Sequence, residues 1–218
     1  MNKKVEKFYY ENYREYPNGK TQALNIYQNN NGKLEGGRQH DPIYNDENAR
    51  RQIYTFGCSW TYGWDLEQKE AFPHLLGDEN TAVHNYGAGG TGLDFAVKTL
   101  SEVYIPESRR QIFIITVPHF FRRTWFDDDG VVMRPWQVKE KTNINEYNQY
   151  FNFLHHYNIL NTFVGRDKII WGTWDGDLPA EYFDVNFDLV DTTEDGVHPG
   201  PKAHKQYADK IKEVIKER

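Results

Sequence analysis

The 218-residue chain has a single cysteine, Cys58, which excludes an internal disulfide framework and a multi-cysteine zinc site. No apolar run approaches the roughly 18 residues needed to cross a bilayer, so no membrane partner is expected. The opening residues, Met1-Asn2-Lys3-Lys4-Val5-Glu6-Lys7, carry positive charge but lack the apolar stretch of a secretory leader, and a cytoplasmic location is expected. Basic residues are outnumbered, 26 Lys and Arg against 32 Asp and Glu, for a net charge of −6. That balance argues against a nucleic-acid partner, whose phosphates call for clustered Lys and Arg. Serine is also scarce, confined to Ser59, Ser101 and Ser108. Aromatic residues are plentiful: 6 Trp, 15 Tyr and 13 Phe. Each buries a large area, so a hydrophobic fraction of 38% still suffices for a core in a chain of this length.

Residues 1–50 are rich in Tyr, Asn and charge, with turn signals at Asn29-Asn30-Asn31-Gly32 and Gly36-Gly37. They read as a polar arm packed on the domain, with a short helix predicted over Val5 to Tyr13 and ending before Pro17. From residue 51 the pattern sharpens into one domain reaching 218. Strands are predicted at Ile53–Phe56, Thr81–Tyr86, Gln111–Val117 and Lys168–Gly172, with a weaker extended piece at Phe187–Val190. Helices are predicted over Leu93–Tyr104, Asn145–Phe163 and from Pro201 onward, where Tyr207, Ala208, Ile211, Val214 and Ile215 form one apolar stripe. The unbroken apolar run at Gln111–Val117 suits a strand covered on both faces. Alternating strands and helices imply right-handed βαβ units and a three-layer α/β/α sandwich.

An open parallel sheet binds ligands beyond the carboxyl ends of its strands, and three motifs fall there or just before the last helix. The first is Gly57-Cys58-Ser59-Trp60-Thr61-Tyr62-Gly63. A strand ending in Gly permits a tight turn that presents the Ser59 hydroxyl, with a backbone N–H directed at a developing oxyanion. The same serine equally fits a plain helix cap. The second is Asp195-Gly196-Val197-His198-Pro199. With a flexible glycine between them, the Asp195 carboxylate can take the His198 Nδ1–H and leave Nε2 to accept a serine proton. An exposed loop whose Asp only caps a helix fits this motif too. The third, Asn85-Tyr86-Gly87-Ala88-Gly89-Gly90-Thr91-Gly92, supplies approachable backbone amides. It lacks the ending of a P-loop and the full dinucleotide glycine spacing.

In this chain order the three motifs resemble the SGNH (GDSL-like) hydrolase family, over roughly residues 52 to 215. Gly57 to Gly63 is similar to its first block, Gly-Asp-Ser-x-Thr-x-Gly, with Cys58 in place of Asp. Asn85 to Gly90 is similar to the second, and Asp195 to Pro199 to the closing Asp-x-x-His-Pro block. The resemblance implies a flavodoxin-like parallel sheet of about five strands. It also implies Ser59 as nucleophile, His198 as general base and acid, Asp195 as the orienting carboxylate and Gly90 as an oxyanion donor. No cofactor and no metal are implied. Cys58 is expected to turn away and pack; the competing assignment makes its thiol the nucleophile. The family's Gly-x-Asn-Asp block, which supplies an oxyanion Asn, has no counterpart in Thr116-Val117-Pro118-His119-Phe120-Phe121-Arg122-Arg123. One such donor is worth about 100- to 1,000-fold in rate. Either His119, Arg122 or Arg123 replaces it, or the Ser59 and Gly90 amides form the hole alone.

Other candidates are weaker. His155 and His156 are adjacent and diverge on a helix, Asp127-Asp128-Asp129-Gly130 lacks the rest of a calcium loop, and His204 reads as structural. Trp60, Tyr62 and Trp64 either line a substrate cleft or pack in the core. The expected function is a serine esterase acting on a small-molecule or carbohydrate ester, such as an O-acetyl group. The alternative is a non-catalytic glycan- or partner-binding module on the same fold.

Overall fold

The computed structural model describes residues 49–106, 108–118, 146–174, 176 and 178–218. It also gives the backbone of three short antiparallel pairs, 14–15 with 21–22, 27–28 with 34–35, and 125–126 with 132–133. The helix expected over Val5 to Tyr13, the docking of the N-terminal arm, the turn at Asp127–Gly130, and His119, Arg122 and Arg123 lie outside the described residues.

Five parallel strands form the central sheet: β1 (Arg51–Gly57), β2 (Thr81–Gly87), β3 (Gln111–Val117), β4 (Ile169–Thr173) and β5 (Val185–Asn186). Their spatial order is β5-β4-β3-β1-β2, the flavodoxin-like order, whose switch point lies between β1 and β3. The register sets Ile53 beside Val83 and Ile112, and Trp171 beside Ile115. The helices are α1 (Ser59–Tyr62), α2 (Phe72–Leu75), α3 (Leu93–Val103), α4 (Glu146–Leu160) and α5 (Pro201–Glu217).

Because side chains alternate along a strand, the sheet feeds two cores. On one face Tyr54, Phe56, Phe113, Ile115 and Trp171 pack with Leu93, Ala96 and Leu100 of α3 and Phe153 and Leu160 of α4. On the other, Ile53, Val83, Ile114 and Ile170 pack with Phe72 of α2 and Ala203, Tyr207, Ala208 and Ile211 of α5. β3 is apolar from Ile112 to Ile115 because it lies between both layers. Burying each large side chain contributes about 1.5–3 kcal/mol, so the α5 stripe alone holds that helix against the sheet. The Tyr207 hydroxyl meets Thr116 Oγ1 at 2.9 Å, which satisfies its one polar atom in that core.

One expectation needs correcting. The last extended piece was expected at Phe187–Val190, but β5 is Val185–Asn186, paired with Gly172 and Thr173. Phe187 instead turns into the core, its ring stacked on Tyr207 at 4.2 Å. Its N–H still donates to the Thr173 carbonyl at 2.7 Å, and the chain leaves the sheet beyond it.

Candidate active site

β1 ends at Gly57 in a conformation with φ +155°. A Cβ there would overlap Thr61 Oγ1 and approach the Thr116 carbonyl oxygen at 2.7 Å, so only glycine fits. Cys58, fully buried, is the N-cap of α1, and Ser59 is that helix's first residue. Gly63, left-handed at φ +76°, closes the single turn by donating its N–H to the Ser59 and Trp60 carbonyls. Trp64 N–H returns to the Ser59 carbonyl at 3.1 Å. This one-turn element lies beside the switch point of the sheet, with Ser59 only 8% exposed.

The end of β2 grips the same turn. Asn85, buried in the sheet, donates its amide to the Thr61 and Tyr62 carbonyls at 3.2 and 3.4 Å. Its carbonyl accepts from Gly87 N–H at 2.9 Å and the Thr55 hydroxyl at 3.3 Å. Asn85 thus satisfies carbonyls that a short helix leaves without partners. Gly87 packs directly under α1, where a Cβ would overlap Tyr62 N and reach Thr61 C at 2.7 Å. Ala88 N–H donates to the Gly57 carbonyl at 2.8 Å, closing the glycine loop onto the Ser59 turn.

From the far end of the chain, the loop 191–200 delivers His198. Its imidazole Nε2 lies 2.9 Å from Ser59 Oγ, and Nδ1 lies 2.5 Å from Asp195 Oδ2. The other carboxylate oxygen, Oδ1, accepts from Thr193 Oγ1 at 2.8 Å, Val197 N–H at 2.8 Å and His198 N–H at 2.9 Å. Partial burial pushes the Asp195 pKa up. The hydrogen bonds from the His198 backbone and ring, Val197 and Thr193 together outweigh it and hold the carboxyl well below the usual carboxylate range. Asp195 is therefore an acceptor only, which puts a proton on His198 Nδ1 and leaves Nε2 to accept from the Ser59 hydroxyl.

The loop is tied down at both ends. Asp191 Oδ1 and Oδ2 accept from the Ala203 and Lys202 amides at 2.7 and 3.1 Å, capping α5 from ten residues upstream of its first turn. Gly200 N–H donates to the Asp191 carbonyl at 2.9 Å, and Thr193 N–H donates to the His198 carbonyl at 2.8 Å. Left-handed Gly196, φ +69°, turns the chain between Asp195 and His198.

Ser59, His198 and Asp195 thus come together from 139 residues apart. Gly90 sits in the glycine loop at φ +77° with open space around it. Cys58 faces the core, and the imidazole meets Ser59 rather than the thiol. Trp60, for which a place lining the cleft and a place in the core were both open, packs in the core: it stacks on Trp174 at 4.2 Å and meets Phe187 edge-on. Successive helical residues diverge by about 100°, so a turn that aims Ser59 at His198 aims Trp60 into the second core. Trp64 borders the site in its place, its ring 6.0 Å from the His198 ring. His204 is buried and accepts Phe72 N–H at 3.0 Å, a structural use. Asn85 lay within a motif already noted, and its Asn-x-Gly at a strand end was the available sign. Asp191 carried no such local sign, since it caps a helix at long range. Among the described residues no group of three or more His, Cys, Asp or Glu is arranged to hold a metal ion, and no helix is long and apolar enough to cross a membrane.

No family model matches the sequence, and no curated protein does either. Solved structures do match in three dimensions. A carbohydrate esterase, whose active site is described as displaying divergent catalytic and non-catalytic binding functions, covers 78% of this chain and 69% of its own. Its TM-score is 0.51 at 13% identity. An acetyl xylan esterase from the rumen bacterium Butyrivibrio proteoclasticus covers 90% of this chain and 72% of its own, with TM-score 0.45 and 15% identity. A lipolytic G-D-S-L protein from Veillonella parvula covers 77% and 100%, with TM-score 0.48 and 13% identity. The chain has the α/β/α sandwich fold of the SGNH (GDSL-like) hydrolases.

Proposed function

We propose that this chain is a serine ester hydrolase acting on a small acyl ester, with O-acetyl groups on a carbohydrate as the substrate class. The observation that carries the reading is the continuous chain Ser59 Oγ to His198 Nε2 to Asp195 through Nδ1, at 2.9 and 2.5 Å. In the first half-reaction Ser59 Oγ bonds to the ester carbonyl carbon while His198 takes its proton. The carbonyl oxygen becomes an oxyanion held by backbone N–H groups of Ser59 and Gly90. His198 then gives the proton to the departing alcohol oxygen as its bond to the acyl carbon breaks. Water, deprotonated by the same imidazole, releases the acid and restores Ser59. Asp195, held ionised, keeps the imidazole oriented and offsets its positive charge in both halves.

The test is release of acetate from acetylated sugars and of p-nitrophenol from its acetate by wild type, Ser59→Ala and His198→Ala. The reading requires both variants to lose at least about 1,000-fold in kcat/KM; equal rates in all three reject it. A second reading, a glycan-binding module without turnover, is favoured by the missing Gly-x-Asn-Asp block after β3. It requires wild type and Ser59→Ala to bind an acetylated glycan alike and to hydrolyse none.

A further inference from the structure

Thr193 precedes the Asp-x-x-His-Pro block and directs each of its polar groups into the turn that follows. Its carbonyl accepts from Gly196 N–H at 3.0 Å, and its own N–H donates to the His198 carbonyl at 2.8 Å. The first bond closes a turn from Thr193 to left-handed Gly196, and the second sets His198 opposite Thr193. The hydroxyl donates to Asp195 Oδ1 at 2.8 Å. One residue thus holds the backbone of the histidine and the side chain of the acid.

The Asp195 carboxylate turns about its Cβ–Cγ bond, and Oδ2 faces His198 Nδ1 only while Oδ1 is held. The Val197 and His198 amides, at 2.8 and 2.9 Å from Oδ1, both belong to the segment after Asp195. The Thr193 hydroxyl reaches the same oxygen from the segment before it. Donors on both sides trap the group, whereas donors on one side leave it a hinge. The trap matters because the Asp195 side chain is 29% exposed, and holding an exposed pair in one geometry costs side-chain entropy.

Resting on the hydrolase reading above, we infer that Thr193 is a positioning residue for the proton relay: its hydroxyl fixes the Asp195 carboxylate, so that Oδ2 keeps the His198 ring aimed at Ser59. It acts through Asp195 and His198 rather than on the reacting atoms. Its effect belongs to kcat, because the aim of the ring counts when the proton moves and not when substrate binds. Valine at this position keeps the branched shape and both backbone bonds and deletes only the hydroxyl. Oδ1 then retains two amide donors, so no acceptor is orphaned and the fold should persist.

The experiment compares Thr193→Val and Thr193→Ser with wild type. It reads kcat and KM on p-nitrophenyl acetate, the rate of Ser59 labelling by a fluorophosphonate, and thermal unfolding. Thr193→Val should lose about tenfold in kcat with KM little changed, less than the roughly 100-fold that a 1 Å misplacement costs. Labelling should slow by the same factor, since it reports Ser59 activation without a chosen substrate. Thr193→Ser, which restores the hydroxyl, should recover most of both. A threonine with only a structural role would lower the unfolding temperature and leave kcat and labelling of the folded protein unchanged. That result, or a Thr193→Ser as slow as Thr193→Val, overturns the inference and leaves the hydrolase reading intact. Should Thr193→Val not fold, Thr193→Ala is read in the same way, and failure of both to fold assigns the residue to stability and overturns the inference too. Wild type that neither labels nor turns over rejects the hydrolase reading, and the inference with it.

Discussion

The two arms of the site are built by different physics. Ser59 stands on a turn set by close packing: Gly57 and Gly87 have no room for a Cβ, Cys58 is sealed in the core, and Asn85 bolts the turn to the next strand. His198 stands on a loop set by hydrogen bonds, where the Asp195 side chain is 29% exposed and Asp191 closes the clasp. The packed arm is rigid and intolerant of added volume. The bonded arm tolerates volume but depends on charge and on acceptor geometry. Substitutions should therefore fail in folding on the serine side and in chemistry on the histidine side.

The largest effect expected is on the histidine side. Asp195→Asn replaces an acceptor-only carboxylate with an amide that can present its N–H₂ to Nδ1 and favour the wrong tautomer. A loss of about 10⁴-fold in kcat follows from the tautomer argument, with thermal unfolding shifted by only a few degrees. Ester kinetics and calorimetry on the same sample check the contrast. Next comes the serine side. Gly87→Ala drives a methyl into the Tyr62 backbone, which neither backbone nor packing can relieve cheaply, and about 3 kcal/mol or more of stability should vanish in urea unfolding.

A third prediction separates two histidines. His84 on β2 is partly buried and stacked on Tyr54, ring centroids 4.6 Å apart, and that burial lowers its pKa from 6.5 to about 4. The unfolded chain therefore binds a proton that the folded chain refuses between those values. The neutral ring's contribution is intact above pH 6.5 and is lost as pH falls toward 4, on the order of 3 kcal/mol across the window. His84→Gln should flatten the pH dependence of unfolding in that range while activity keeps its own profile. Asp195 shifts stability in the same direction but in a lower pH window. Its depressed pKa keeps its contribution present through the His84 window, to be lost only in stronger acid. The smallest effect is expected at the clasp: Asp191→Ala removes the long-range cap of α5, costing about 1 kcal/mol, and should lower kcat several-fold with KM little changed. Asp191→Asn, which keeps one acceptor, should recover part of both.

Much of this arrangement was legible in the amino acids. β3 occupies the expected residues because an apolar run covered on both faces leaves no choice of register. α3 and α5 followed from apolar stripes at helical spacing. The three motifs each carried local chemistry, and so Ser59, Asp195 and His198 were readable although far apart in the chain. What escaped was set by contacts across space. α1 and α2 have four residues each, too few for a period to register. β5 is defined by its parallel neighbours at Gly172 and Thr173, and Phe187 is claimed by Tyr207. Whether Trp60 or Trp64 faces the site depends on the phase of one helical turn, which spacing along the chain cannot supply. Asp191 acts on amides eleven and twelve residues ahead, a reach that short-range cap patterns do not cover.

Mass mapping of a fluorophosphonate adduct on the whole chain tests the central claim most directly, because it reports nucleophilicity at one atom without any assumed substrate. The account predicts one adduct, on Ser59, forming at least 100-fold more slowly in His198→Ala and absent in Ser59→Ala. An adduct on Cys58, no adduct at all, or labelling of Ser59 at the same rate without His198 would contradict it.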